Sequence, residues 1–144
     1  MSNSLSRWRR RATRLGAGVD TALIRRAGAY AADAAARVAG ELLAGAGRPS
    51  AIFATDGTMS EGVMAAITSA GLSVPDDISL VCFDDLEWMG FLAPGISTMA
   101  QPRLAMGEEA ATMLLARIEG SDAPIRAAVM RAEFVQRGSI SQAR

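Results

Sequence analysis

Residues 78–85 read ISLVCFDD, an apolar run that stops on two adjacent carboxylates, Asp84 and Asp85. Two further runs have the same look, SAIFAT at 50–55 and ISTMAQ at 96–101. A short, continuous apolar run bounded by turn residues is the mark of a strand covered on both faces, the pattern of parallel sheets. Between the first two runs lies a helical stretch. Thr58 and Glu61 stand three apart as a capping box that satisfies two free backbone donors. Val63, Met64 and Ile67 supply a buried face, and Gly71 stops the helix at its C′ position. The turn VPDD (74–77) then leads into ISLVCF.

The rest of the chain repeats the alternation. A helix spans about 30–44 with Ala35, Val38, Ala39 and Leu42 on one face, and it is stopped by the glycines and proline of 45–49. Upstream, ALIRRA (22–27) reads as a short strand, and residues 4–15 as a helix with Leu5, Trp8, Ala12 and Leu15 in a stripe. After ISTMAQ, Pro102 opens the longest helix, roughly 103–119, with Ala111, Leu114, Leu115 and Ile118 on one side. The tail 127–139 reads as an extended pairing strand. Strands alternating with helices predict an α/β domain, an open and mostly parallel sheet with helices on both faces.

Composition narrows the chemistry. The chain has 144 residues, half of them hydrophobic, enough for one ordinary core, and its formal net charge is zero. All fifteen basic residues are arginine, and there is no lysine or histidine. That removes Ser-His-Asp and Cys-His nucleophile systems, histidine metal sites and Schiff-base lysines. The single cysteine, Cys82, lies within an apolar run and reads as a buried reduced thiol. No apolar segment nears the roughly 20 residues that cross a bilayer, and the arginine-rich start lacks the apolar core of a secretory signal. These features predict a cytoplasmic protein with no membrane partner, no metal and no cofactor. Arg7, Arg9, Arg10, Arg11 and Arg14 read as the solvated side of the first helix, since no recognition-helix pattern accompanies them.

In open parallel sheets, ligands bind beyond the carboxyl ends of the strands. Asp56, Asp84 with Asp85, and Gln101 all arrive there. Adjacent side chains of a strand diverge, so one of Asp84 and Asp85 can enter a cleft while the other caps the short helix that follows. A nucleotide enzyme is disfavoured, because neither Gly16-x-Gly18 nor Gly45-x-Gly47 is followed by the third glycine of the dinucleotide fingerprint. A glycosidase would set two carboxylates about 5–9.5 Å apart, a spacing open to Asp56 and Asp84.

The stretch AIFATDGTMSEG (51–62) resembles the sensor domain of the lactose-repressor/galactose-repressor (LacI/GalR) transcription regulators. The likeness continues through VPDDISLVCFDD and ISTMAQP to MGEEAATMLLARIEG and EFVQRGS, covering nearly the whole chain. The resemblance implies a periplasmic-binding-protein-like fold of type I and a non-enzymatic role in transcription regulation. It gives Asp84 the task of accepting from a hydroxyl or ring donor of a small-molecule effector, most simply a sugar. By the same likeness Tyr30 stacks on the effector, Asp56 stands where an asparagine faces the ligand, and Gln101 lies near the interdomain crossover. Gly57, Cys82 and Glu61 depart from the family pattern, which usually has aspartate, glycine and an apolar residue there.

The resemblance further implies that the chain is a truncated sensor. Residues 1–102 correspond to an incomplete C-terminal subdomain, and residues 103–144 to a helix and strand that cross back to an N-terminal one. A helix-turn-helix is absent, so no direct specific DNA contact is expected of this chain. The partners implied are an effector and either a second copy or the missing N-terminal half. A central strand of the family's sheet, between those matching ALIRRA and SAIFAT, is missing as well, so both runs should show open edges. The alternatives are part of a periplasmic-type sugar-binding protein and a non-functional gene fragment.

Overall fold

The computed structural model describes residues 20–142. The helix and arginine cluster expected at 4–15 lie outside them. Four strands form one mixed sheet: β1 (Ala51–Ala54), β2 (Ser79–Phe83), β3 (Ser97–Ala100) and β4 (Glu133–Val135), in that spatial order. The pairs β1–β2 and β2–β3 are parallel, and β3–β4 is antiparallel. Helices α1 (Ala32–Ala44), α2 (Gly57–Ser69), α3 (Glu87–Phe91) and α4 (Arg103–Ile118) connect or flank the strands. The α/β alternation read from the sequence is therefore present, with three of four strands running parallel.

The core lies where α1 and α2 pack on one sheet face. Register places Ile52 beside Leu80 and Ala54 beside Cys82, and these side chains meet Val63, Ala66 and Ile67 of α2. On α1 the buried residues are Ala35, Val38, Ala39 and Leu43, so Leu43 takes the place expected of Leu42, which is half-buried. Close approach of the two helices depends on Gly62. A Cβ there would lie 2.2 Å from the carbonyl oxygen of Ala32 and 2.6 Å from the Ala35 Cβ. Cys82 is fully buried, and burial pushes its thiol up to about 11 against a smaller lowering by a Ser60 hydrogen bond. At neutral pH it is therefore a protonated packing group.

The helix ends follow the sequence closely. Gly71 adopts a φ of +67°, with its N–H bonded to Thr68 O and the Leu72 N–H to Ile67 O. This is a Schellman stop, and Gly120 at φ +90° ends α4 in the same way. The start of α2 differs from expectation. Asp56, extended at φ −166°, is the N-cap, and its carboxylate accepts from the Met59 N–H at 2.9 Å. Thr58 already lies inside the helix, one residue too far along to cap it, so no Thr58–Glu61 box forms.

Three other readings need correction. ALIRRA is not a strand: Thr21–Leu23 form one 3₁₀ turn capped by Asp20, and the chain then runs irregularly into α1. A strand exists through its ladder, and no described strand lies beside this segment. Among the described strands SAIFAT is consequently at the edge of the sheet, and it is not buried on both faces: Phe53 is 52% exposed. The tail pairs only over Glu133–Val135, because β3 is four residues long and offers no longer ladder.

The opposite sheet face carries Phe53, Val81 and Phe83, which lie in register with one another or with Met99 and Phe134. Met106 and Met113 of α4 approach Phe83 on this side, so helices lie on both faces. Yet α4 has no buried residue along its 16 positions, and Leu114, Leu115 and Ile118 are all more than half exposed. A helix held so loosely opens at little cost. Native-state hydrogen exchange should therefore show protection concentrated in 50–70 and 78–84, with amides of 103–118 exchanging far faster. Equal protection of α4 and β2 in the isolated chain would contradict this distribution.

Candidate functional site

The two carboxylates that end β2 are separated by the backbone. Asp84 sits at φ +70°, the one described non-glycine residue with a positive φ. That left-handed conformation costs an L-residue roughly 1–2 kcal/mol. Its N–H nevertheless continues the ladder, bonding Met99 O at 3.1 Å. The turn aims the carboxylate sideways across the end of β3, where Asp84 Oδ1 accepts from Gln101 Nε2. Sequence reasoning placed both residues at strand ends, and the fold brings them into direct contact.

Asp85 points elsewhere. Arg137 Nη1 donates to its Oδ1 at 2.7 Å and Nη2 to its Oδ2 at 2.9 Å, a two-pronged guanidinium–carboxylate pair. The same guanidinium donates to Ile96 O at 2.7 Å. Asp85 therefore does not cap α3, whose N-cap residue is Leu86, with no side-chain hydrogen bond. The ion pair wins over capping because it supplies a full opposite charge and two parallel hydrogen bonds. These bonds from Arg137 hold the Asp85 carboxyl below its ordinary value, against a smaller opposing effect of burial.

Arg137 is one anchor of a longer tether. Its N–H bonds Ser97 Oγ at 2.9 Å, and Ser97 Oγ donates to Arg137 O at 3.1 Å. Ser139 Oγ accepts from the Ser97 N–H and donates to Leu80 O, while Leu80 N–H bonds Ser139 O. The tail thus pairs beside β2 where β3 has not yet begun. Gly95 accommodates it: a Cβ there would lie 2.9 Å from Arg137 Cδ. Sequence reasoning missed Arg137, Ser97 and Ser139 as parts of the site. The available signal was the arginine in QRGS, one of two in a tail segment (Arg131 and Arg137) destined for the sheet bearing the Asp pair.

Asp56 and Asp84 each stand two residues past the paired Ala54 and Cys82, so they leave adjacent strand ends. One Asp56 oxygen is committed to the Met59 N–H. Gly57 is needed where it stands, since a Cβ would meet Leu86 Cδ1 at 2.5 Å. Tyr30 lies on the approach to α1, is 76% exposed, and is joined by no described hydrogen bond to the other three residues. A cavity of about 220 Å³ lies between α4 and the tail, lined by Gln101 together with Phe83, Met106, Met113 and Met130. Asp84, Asp56 and Tyr30 do not line it. Among the described residues no group of three or more His, Cys, Asp or Glu side chains could hold a metal, and no helix is long and apolar enough to cross a membrane.

The periplasmic binding protein-like domain family matches residues 2–140. The probable opine utilization operon repressor of Rhizobium rhizogenes is 35% identical over 95 residues, covering 65% of this chain and 48% of its own length. The HTH-type transcriptional repressor PurR of Vibrio parahaemolyticus is 32% identical over 115 residues, 80% of this chain and 34% of its own. Among solved structures, the transcriptional regulator CelR in complex with cellobiose superposes with a TM-score of 0.83 at 28% identity, covering 94% of this chain and 41% of that one. The chain thus spans less than half the length of these relatives.

The ion pair makes a test independent of any ligand. Asp85→Asn should destabilise the chain by about 1–3 kcal/mol, the range for losing hydrogen bonds to a charged group. Because the folded-state value is lowered, the pair's contribution is fully present above the ordinary aspartate range and is lost as pH falls through the depressed one. Denaturant titrations should give a constant wild-type advantage near neutrality that disappears in acid. An advantage that grows on acidification would contradict the assignment.

Proposed function

Because the chain belongs to the periplasmic binding protein-like domain family, as the sensor domains of LacI-type transcriptional regulators do, we propose that it is the effector-binding portion of such a regulator. The effector in this reading is a sugar, and the protein is non-enzymatic and cytoplasmic. The observation that carries the reading is Asp84: a carboxylate turned out of the strand end by a left-handed backbone and set against Gln101. A carboxylate accepts strongly from sugar hydroxyls, and the Gln101 amide keeps a donor and an acceptor beside it. Asp56 on the neighbouring strand end and Tyr30 ahead of α1 complete the proposed set, Tyr30 as an apolar plate for the ring's CH surface. The CelR neighbour holds cellobiose, which supports a polyhydroxylated ligand.

Residues 1–102 then act as the C-terminal subdomain of the sensor. Residues 103–144 carry a surface for a companion α/β half, in the same polypeptide or another. The exposed Leu104, Leu115 and Ile118 of α4 support that division, since a face of this kind gains most from being covered. A second copy of the chain is the other candidate partner, although Glu61 places a charge on α2 at an exposed position.

Two measurements bear on this. With the chain reconstituted with its companion half, calorimetry against a panel of pentoses, hexoses and cellobiose should identify a binder, and Asp84→Asn should weaken it by about 1.5–3 kcal/mol, the loss of a charge-assisted bond. Unchanged affinity in the variant would remove Asp84 from the site, and binding of no sugar would refute the effector class. Footprinting with this chain alone should protect no operator palindrome. Among the described residues no two helices are joined by the short turn that presents a recognition helix.

A further inference from the structure

The two neighbouring carboxylates divide one task, and we infer that the Arg137–Asp85 pair is a positioning device that holds Asp84 in its left-handed turn and so keeps its carboxylate on Gln101. The inference deepens the reading of Asp84 as the effector's polar contact and rests on it for its functional meaning.

Three features of the turn point this way. Asp84 occupies a backbone region that aspartate tolerates better than most residues but still populates less than the extended or right-handed ones, and the chain uses glycine at its other described positive-φ positions, Gly28, Gly71 and Gly120. The peptide joining Asp84 to Asp85 is pinned at both ends. On one side the Asp84 N–H is bonded to Met99 O; on the other the Asp85 carboxylate is held at two points by a planar guanidinium. That guanidinium is itself tied down by further contacts. It bonds Ile96 O, its backbone is tied to Ser97, and two residues later Ser139 bridges β2 and β3. Rotation of the Asp84–Asp85 peptide would therefore require Asp85 to leave a fixed fork.

A second consequence is that the fork matters, and not the charge alone. Lysine would preserve the positive charge but offers a single mobile ammonium that cannot hold both carboxylate oxygens in one plane. The pair also gives the tail a direct mechanical link to the site: whatever displaces 133–139 from β3 must move Asp85, and Asp84 with it. Arg137 is thus a positioning residue, acting on the effector contact through its neighbour.

The side-chain amide of Gln101 reports the geometry without any effector, so this inference can fail while the effector reading stands, and the reverse. The chain has three glutamines and one asparagine, which makes the ¹⁵N side-chain amide signals readily assigned. In the native chain the Gln101 amide proton bonded to Asp84 should resonate apart from those of Gln136 and Gln142, both exposed. In Arg137→Lys, Arg137→Gln and Asp85→Asn it should collapse onto the exposed positions, while backbone signals of Ile67 and Leu80 stay in place. A native Gln101 signal in any of these folded variants overturns the proposal. Should Arg137→Gln not fold, the double variant Asp84→Gly/Arg137→Gln decides. Glycine relieves the left-handed turn, so recovery of a folded spectrum supports the device and continued unfolding overturns it.

Discussion

Arg137 reaches across from the tail to hold both oxygens of Asp85, at 2.7 and 2.9 Å, and the organisation of the carboxyl end of β2 follows from that contact. The residues that make it are 52 apart in sequence. Around it, Ser97 and Ser139 bind the tail to the first half of β3 and to β2, so a strand added last in the chain is fastened to the middle of the sheet. The charge pair is only about three-quarters buried on each side, which keeps its desolvation cost below that of a fully interior pair.

Two different kinds of cohesion therefore hold this chain. The α1–α2–β1–β2 region is an apolar core: Ile67, Ile78, Leu80 and Cys82 are essentially inaccessible, and Gly62 lets the helices approach closely. The end that carries Asp84 and Gln101 is held instead by hydrogen bonds and one ion pair. The two regions therefore depend on different forces, apolar burial in one and polar contacts in the other. α4 and the segment beyond it belong to neither region. Their exposed Leu104, Leu115, Ile118, Ile125 and Val129 gain little from this chain's own packing.

Much of this was legible in the residues. The apolar runs ISLVCF and ISTMAQ became β2 and β3, Gly71 ended its helix as expected, and the strand-end placement of Asp84 and Gln101 put them in contact. Local patterns are readable because they depend on backbone geometry within one or two turns. ALIRRA failed as a strand because the pattern of a strand does not contain its partner, and the ladder it would need is not supplied by any described neighbour. SAIFAT failed as a doubly buried strand for the same reason: continuous hydrophobicity says that both faces tolerate burial, not that both are covered.

The sequence by itself determined the α/β alternation, the helix stops, the absence of histidine and lysine chemistry, and the family likeness carried by the FDD and QP segments. Only the tertiary structure decided how the two aspartates divide. Asp84 and Asp85 are the same residue type in adjacent positions; strand alternation says only that they diverge, and the family resemblance gives the first an effector contact without naming the partner that either one meets. Their roles were set by what lay within reach of each once the chain had folded: an amide from the end of β3 for one, a guanidinium from the returning tail for the other. Partners so far away in sequence are invisible to any local pattern, because a hydrogen bond depends on distance in space.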